Sequence, residues 1–546
     1  MAKGNRQFDY VIVGAGTAGC TLASRLSEEK GVRVLLMEAG GWDRDPWIRI
    51  PLGWGKILRG RLHDWGYFAE PQANVSGRAI ECARGKVIGG SSSINAMAYV
   101  RGHSADFERW ADSGLKTWSF AHALPYFRRQ ESWVGGETFY RGGAGPLITS
   151  YSRYVDVDPL IAACIEAGVA AGYPRTDDYN AEQQEGFGLM QSTIRNGRRC
   201  SAADAYLKPA LRRSNLQVLV KALATRIVIE GNRAVGVEYL RAGRHERVMA
   251  GREVILCGGV INSPQLLMLS GIGDPAELLA HRIAVKFPLS GVGKNLQDHV
   301  SGVVSYRRKE AGPLHRIMRI DRIAVALARA YMFGTGFAAG LPSGCVAFLK
   351  TKANLTAPDI QVLFNAGSMQ AKPYLPPFRR PFIDSFSFRP VLLRPESRGS
   401  VSLLSADPGV APRITQNFLS TDYDLKTLRD GIRMVREIAR QGPLQPFVAA
   451  EMSPGAGKVS DADIDAYIRA TSMTAHHPLG TCKMGLSSDA MAVVDEELRV
   501  FGVDGLRIVD AAVMPDLIGG NINAAVGMIA EKAADIIRGH QAVLPP

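Results

Sequence analysis

The chain has no Cys-x-x-Cys pair, and its seven cysteines, Cys20, Cys82, Cys164, Cys200, Cys257, Cys345 and Cys482, are scattered singly along 546 residues. That spacing argues against a zinc ribbon and offers no disulfide framework. Long apolar runs are equally scarce. The best, residues 323–339, is interrupted by Arg329, Gly334 and Gly336, short of the roughly eighteen unbroken residues that a bilayer-crossing helix needs. The first seven residues hold Lys3 and Arg6 but no apolar stretch, so no secretory or transit segment is expected and cytoplasmic residence is the default. There is no internal repeat, no low-complexity tract and no Gly-x-Ser-x-Gly elbow to raise a nucleophilic serine.

Acidic residues are outnumbered, 52 against 65 basic, for a formal net charge of +13. Part of that excess, Arg307, Arg308, Lys309, Arg316, Arg319 and Arg322, gathers just ahead of the interrupted apolar run. No nucleic-acid module or aromatic platform accompanies it, so a solvated helix face is expected and nucleic acid is not. A peripheral contact with an anionic inner-membrane surface stays open. The length exceeds what one core holds, and 46% hydrophobic residues suffice for two or more folded domains.

What the chain does have is Gly14-Ala-Gly-Thr-Ala-Gly19, placed between an apolar run at 8–13 and a helical pattern over 17–29. Gly14 suits a tight turn, Gly16 lets backbone approach a pyrophosphate, and Gly19 lets helix and strand pack closely. The anion rests on the N-terminus of the helix, near Thr17 and Ala18, where unpaired N–H groups and the helix dipole point at it. A second apolar strand, 32–37, delivers Glu38 about twenty residues beyond the last glycine, where a carboxylate accepts ribose hydroxyls.

Further along, strands at 226–230 and 234–240 flank Gly231-Asn232-Arg233 as a hairpin, and a short strand at 254–256 runs into Gly258-Gly259. Between 300 and 470 the character changes to strands such as 359–364 and 400–404, a proline-rich loop at 373–381 and a helix over 422–440. The last seventy or so residues return to the first style, with a strand at 506–509 ending in Asp510 and an alanine-rich helix over 524–538. The expected class is α/β, α+β overall. A Rossmann-like dinucleotide domain (1–160, 215–300 and 475–546) is interleaved with a substrate domain (161–214 and 301–474) built on an antiparallel sheet with helices.

The loop Arg84-Gly-Lys-Val-Ile-Gly-Gly-Ser-Ser-Ser-Ile-Asn95 combines paired glycines, hydroxyls and an amide with apolar neighbours, which suits a buried pocket edge along a flat ring. With Gly259-Val-Ile-Asn-Ser-Pro-Gln-Leu-Leu-Met-Leu-Ser-Gly-Ile-Gly273 and Gly291-Val-Gly-Lys-Asn-Leu-Gln-Asp-His299, it resembles the glucose-methanol-choline (GMC) family of flavin oxidoreductases over nearly the whole chain. Val260 departs from the small residue usual there. The resemblance implies FAD, with Glu38 on the adenosine ribose, Ala224 at the adenine, and Asn95 and Asp510 at the flavin end. It implies further contacts from Gly14, Gly16, Thr17, Ala18, Gly19, Arg84, Val87, Gly90, Ser91, Met97, Ala98, Ala511, Asn521 and Ile522, with Ser92 and Ser93 read as contacts too. Ile94 stands where some members attach flavin through a histidine, so the FAD is expected to be non-covalent.

His476-His477-Pro-Leu-Gly and, downstream, Gly519-Gly-Asn-Ile-Asn523 resemble the family's catalytic His and its partner. On that match His477 is the base and Asn521 its partner, because an alcohol carbon gives up hydride only once its hydroxyl proton is taken. His476 is the alternative base but is read as packing, His299 is read as a hydrogen-bonded core residue, and no metal is expected from His476, His477 and Cys482, which lack ligand spacing. The expected substrate is a neutral primary alcohol, since Gly344 is aligned where choline dehydrogenases carry a glutamate. The electron acceptor, a quinone, an electron-transfer protein or oxygen, stays open, with a dehydrogenase preferred to an oxidase, and so does the oligomeric state. Choline dehydrogenase, a redox-silent lyase of the same architecture and an NAD-dependent enzyme are the rival readings.

Overall fold

Two sheets divide the work, one holding a glycine-rich turn and the other a polar wall. The computed structural model describes residues 7–541 and Val543. Residues 1–6, over which no targeting segment is expected, lie outside them.

The first sheet has five parallel strands in the spatial order Leu216–Val220, Val34–Glu38, Gln7–Val13, Arg244–Leu256 and Leu506–Ile508. Its centre, Gln7–Val13, is flanked on both sides, so Val11 and Ile12 are fully buried. Such two-sided burial explains why apolar runs, not alternation, mark these strands in the sequence. The hairpin Leu223–Glu230 and Arg233–Arg241 extends the sheet antiparallel through the first half of the long strand Arg244–Leu256. Helix Thr17–Leu26 stops three residues before the predicted end, where Ser27 turns its hydroxyl back to Ser24 O.

The C-terminal helix, Asn523–Arg538, lies against Thr17–Leu26 and joins the two ends of the chain. Thr17 Oγ1 donates to Asn523 Oδ1 at 2.7 Å, and buried Glu531 accepts from Arg25 and Arg129, each at 2.8 Å. This helix begins at Asn523, so its N-terminus opens toward the same glycine-rich turn.

The second sheet is antiparallel, in the order Val448–Ser453, Val304–Arg308, Ser385–Leu392, Ile360–Asn365, Cys345–Leu349 and Gly186–Leu189. Short strands Val300–Ser301 and Met473–Thr474 join at Ser385–Leu392. Helix Asp422–Ala439 covers one face. Its Leu428, Ile432, Val435 and Ile438 recur at helical spacing and are fully buried in one core with Ile360, Phe386 and Phe388. Because strand side chains alternate, the opposite face carries Gln361, Leu363, Ser387 and Arg389, with Leu363 opposite Arg389 in register.

The basic cluster separates on folding. Arg308 is interior, held by Asp158 at 2.8 Å, whereas Arg316, Arg319 and Arg322 are exposed. The interrupted apolar run becomes the amphipathic helix Ile320–Phe333, burying Ile323, Ala326 and Ala330 and leaving Val325, Tyr331, Met332 and Phe333 exposed. Among the described residues no helix is long and apolar enough to cross a membrane. The seven cysteines are all buried and unpaired.

Candidate active site

A cavity of about 640 Å³ runs from the turn at Gly14 to the face of the second sheet. Every glycine of the turn has its own steric reason. A Cβ on Gly14, which sits at φ +103°, would lie 2.3 Å from Cys257 O, and one on Gly19 would lie 1.9 Å from Gly14 O. A Cβ on Gly16 would meet nothing within 4 Å, because that position faces the cavity. The first N–H groups of helix Thr17–Leu26 have no partner inside the helix, so the turn offers donors to an anion beside open space.

Glu38, at the end of its strand, is buried and accepts from Ala15 N at 3.0 Å and Gly40 N at 2.8 Å. Burial pushes its carboxyl up to about 7 despite those two N–H donors. Ala224 faces the same end. Asp510 accepts from Gly259 N, Ser263 Oγ and Ala512 N at 2.7–2.8 Å, tying the last strand of the first sheet to helix Gly259–Leu269, and burial raises its pKa.

Arg84, Gly90, Ser91, Asn95, Met97, Ala98, Ala511, Asn521 and Ile522 line the cavity together with Gly14, Gly16, Thr17, Ala18, Glu38 and Asp510. Gly19 and Val87 do not. Gly19 is consumed by helix-to-strand packing, and Val87 turns into a small core with Ile48, Ile57 and Ile94. Of the three hydroxyls only Ser91 reaches the cavity, since Ser92 Oγ donates to Gly89 O and Ser93 Oγ to Ile88 O. Gly344 is off the wall, and a Cβ there would point at Ile161, 3.0 Å away.

At the far end His477 is buried and its ring is held on both nitrogens. Nε2 lies 2.8 Å from Asn521 Nδ2, and Nδ1 lies 3.0 Å from His299 Nδ1. His299 Nε2 lies 3.2 Å from Leu393 O, and Gln361 Nε2 donates to Asn521 Oδ1 at 3.3 Å. A carbonyl only accepts, so His299 carries its proton on Nε2 and, being neutral, accepts on Nδ1. His477 therefore carries its proton on Nδ1 and turns the lone pair of Nε2 toward Asn521 and the cavity. The donors run in one direction: Gln361, Asn521, His477, His299, Leu393 O.

Electrostatics keep both rings neutral. Burial lowers His299 to about 4, and burial followed by His299, His476, Arg84 and Arg389 takes His477 well below the ordinary histidine value. His476, at φ +64°, is drawn to about 3 by burial, then by Arg84 and Arg389. Its backbone N–H donates to Thr474 Oγ1, and its carbonyl accepts from Arg84 Nη2 at 2.7 Å. Asp298 fixes the loop from below, accepting from His477 N at 2.8 Å and Thr474 Oγ1 at 2.5 Å. His299, Asp298, Gln361 and Arg389 carry no motif role in the sequence reading. Only the Gly291–His299 segment hinted at the first two. Among the described residues no group of His, Cys, Asp and Glu is arranged to hold a metal ion.

Comparison with known proteins identifies the family of the chain. Models of the GMC oxidoreductase N- and C-terminal regions match residues 8–301 and 395–530. The human mitochondrial choline dehydrogenase is 44% identical over 546 aligned residues, covering 98% of this chain and 91% of that one. The oxygen-dependent choline dehydrogenase of Vibrio vulnificus is 42% identical, covering 99% and 96%. Among solved structures, pyridoxine 4-oxidase from Mesorbium loti superposes with a TM-score of 0.87 at 35% identity, covering 98% of this chain and all of that one. A formate oxidase from Aspergillus oryzae gives 0.89 at 28% identity, covering 98% and 99%. The chain belongs to the GMC oxidoreductases and is an FAD-dependent oxidoreductase of the alcohol-oxidising type.

Proposed function

We propose that this protein oxidises a primary alcohol to an aldehyde, with His477 as the base and Asn521 as the group that holds the alcohol oxygen. The observation that carries the reading is the lone pair of His477 Nε2, aimed at Asn521 on the cavity wall. FAD fits the rest of the cavity: the uncovered Gly16, the helix N-termini at Thr17 and Asn523, and the wall from Glu38 to Asn521 leave a continuous space for it. When bound, it takes the hydride that the alcohol carbon gives up.

The residues of the chain do the remainder. The hydroxyl replaces Asn521 Nδ2 as donor to His477 Nε2, and Asn521 then donates to the same oxygen, fixing the carbon in one pose. Because His477 is neutral, the lone pair of its Nε2 can take the proton, and the bond to His299 stabilises the imidazolium that forms. Mixing the FAD-loaded protein anaerobically with a panel of primary alcohols tests the reading. One or more should bleach the flavin, and His477→Ala should slow that bleaching at least about 1,000-fold while FAD stays bound. An unbleached spectrum with every alcohol would favour a redox-silent lyase and overturn the reading.

We further propose that electrons leave at a membrane-facing side, to a quinone. Helix Ile320–Phe333 shares a core with Leu314, Met318 and Ala371, which also line the cavity. On this helix Val325, Met332 and Phe333 are exposed, and the loop that bridges Tyr374 to Arg319 at its start exposes Phe378 (89%), Arg379 and Arg380; Arg316, Arg319 and Arg322 are exposed as well. Exposed apolar side chains together with exposed arginines in one stretch of the chain suit an anionic bilayer.

A further inference from the structure

The substrate end of the cavity is cationic, with Arg84 and Arg389 on its wall, and Arg389 has no carboxylate in contact. Arg389 lies mid-strand in the second sheet and lines the cavity beside Met473, His476 and His477. Its Nε donates to Ser301 Oγ at 2.8 Å and its Nη2 to Thr474 O at 2.6 Å. Those two bonds fix the plane of the guanidinium. Among the described residues nothing bonds to Nη1, which keeps exposed surface and so is accessible from the cavity.

Among the described residues no carboxylate lies within ion-pair distance of Arg389; Asp298, held by Thr474 Oγ1 and His477 N, and Glu81, beside His476 and Arg61, act on it only at longer range. The acidic side chains of the cavity wall are engaged elsewhere: Glu38 by Ala15 N and Gly40 N, Asp64 by Arg61, and Asp510 by Ser263 and two backbone N–H groups. His476 and His477 are neutral. Burial brings Arg389 down to about 10, which still leaves it protonated at neutral pH. Holding a guanidinium in a water-poor site without an anion in contact is costly, and the cost is offset when a ligand brings one. Guanidinium N–H groups match the oxygens of a carboxylate, and they repel a fixed positive charge.

We propose that the substrate is an alcohol that also carries an anionic group, a carboxylate in the simplest case, and that Arg389 selects it. This rests on the alcohol-oxidation reading above and names the substrate class of the same site. It replaces the uncharged alcohol expected from sequence with a hydroxy acid. It also sets this chain apart from relatives named for choline, whose quaternary ammonium would face Arg389 at close range with nothing between to neutralise it. The anionic group binds at Nη1, and the hydroxyl reaches His477 Nε2 across the width of the pocket.

The test uses the FAD-loaded protein and matched pairs: ω-hydroxy acids of three to six carbons, the 1-alkanols of equal length, and choline. The best hydroxy acid should exceed its alkanol by about 100-fold in kcat/KM, the range expected for a desolvated charge pair. Arg389→Gln should collapse that ratio to about 3-fold or less, chiefly through KM, while Arg389→Lys keeps part of it. A wild-type preference for the alkanol or for choline overturns the proposal, as does a ratio unchanged in Arg389→Gln. If no compound of either kind bleaches the flavin, alcohol oxidation itself is wrong, and a binding measurement then decides the anion site separately. Titration with butyrate, followed by tryptophan fluorescence, should saturate in the wild type and weaken at least about 10-fold in Arg389→Gln. Absence of butyrate binding to the wild type overturns the proposal, and both wild-type measurements stand whether or not the variant folds.

Discussion

Replacing His299 with Phe isolates the contribution of a residue that need not touch the substrate. Phe keeps a ring of similar size in a fully buried position, so the packing loss is small beside the polar loss. What disappears is the acceptor 3.0 Å from His477 Nδ1. An interior N–H left without a partner costs about 1–3 kcal/mol. His477 escapes that cost by moving its proton to Nε2, where it meets Asn521 Nδ2 as donor against donor, 2.8 Å away. Either way the free base is lost for part of the population. At about 1.4 kcal/mol per decade, the limiting rate of anaerobic flavin reduction should fall about 10- to 100-fold. His299→Asn restores a carbonyl acceptor and should recover part of the rate, which a purely structural role for the ring would not predict. FAD content and melting temperature, measured alongside, should stay near the wild type. A rate unchanged in His299→Phe, or a loss that merely follows lost FAD, would refute the tautomer argument.

Glu38→Ala should weaken FAD retention without touching the chemistry of the FAD that remains, because it strips the buried Ala15 and Gly40 N–H groups of their acceptor beside the phosphate turn. The same variant tests the charge balance of the cofactor-free protein. With Glu38 at about 7 when folded and 4.5 as its ordinary value, its contribution is fully present below 4.5 and is lost as pH rises toward 7, so the wild type should lose stability relative to Glu38→Ala between pH 5 and 8 in melting scans. Vesicles containing phosphatidylserine should sediment the protein and release it in high salt, whereas Phe333→Glu/Phe378→Glu should stay in solution; equal sedimentation of both would dismiss the membrane face.

Much of the first sheet was legible because its signals are local. Gly14, Gly16 and Gly19 announce themselves by spacing, and Glu38 by its distance along the chain. The strands predicted at 8–13, 254–256 and 506–509 lie within, or one residue beyond, the observed Gln7–Val13, Arg244–Leu256 and Leu506–Ile508. The long strand Arg244–Leu256 was seen only at its apolar end, since its first half is an exposed hairpin arm rich in arginine. His477 and Asn521 stood out by motif, 44 residues apart, and the fold brings them within 2.8 Å.

The rest of the site is tertiary, and no local pattern carries it. His299 reads as a core histidine because half its environment, the Leu393 carbonyl, comes from 94 residues away across the second sheet. Arg389 reads as one more cation in a chain with 65 basic residues. It becomes a cavity residue only through strand parity. In Ser385–Leu392 the side chains of Phe386 and Phe388 go under helix Asp422–Ala439, so those of Ser387 and Arg389 go to the cavity. The parity is enforced by the apolar side: a slip of one residue against Ile360–Asn365 would drive the guanidinium into the core and turn Phe388 toward His477. The substrate-side charge is therefore held in place by the two phenylalanines behind it, although nothing in its immediate sequence says what it faces.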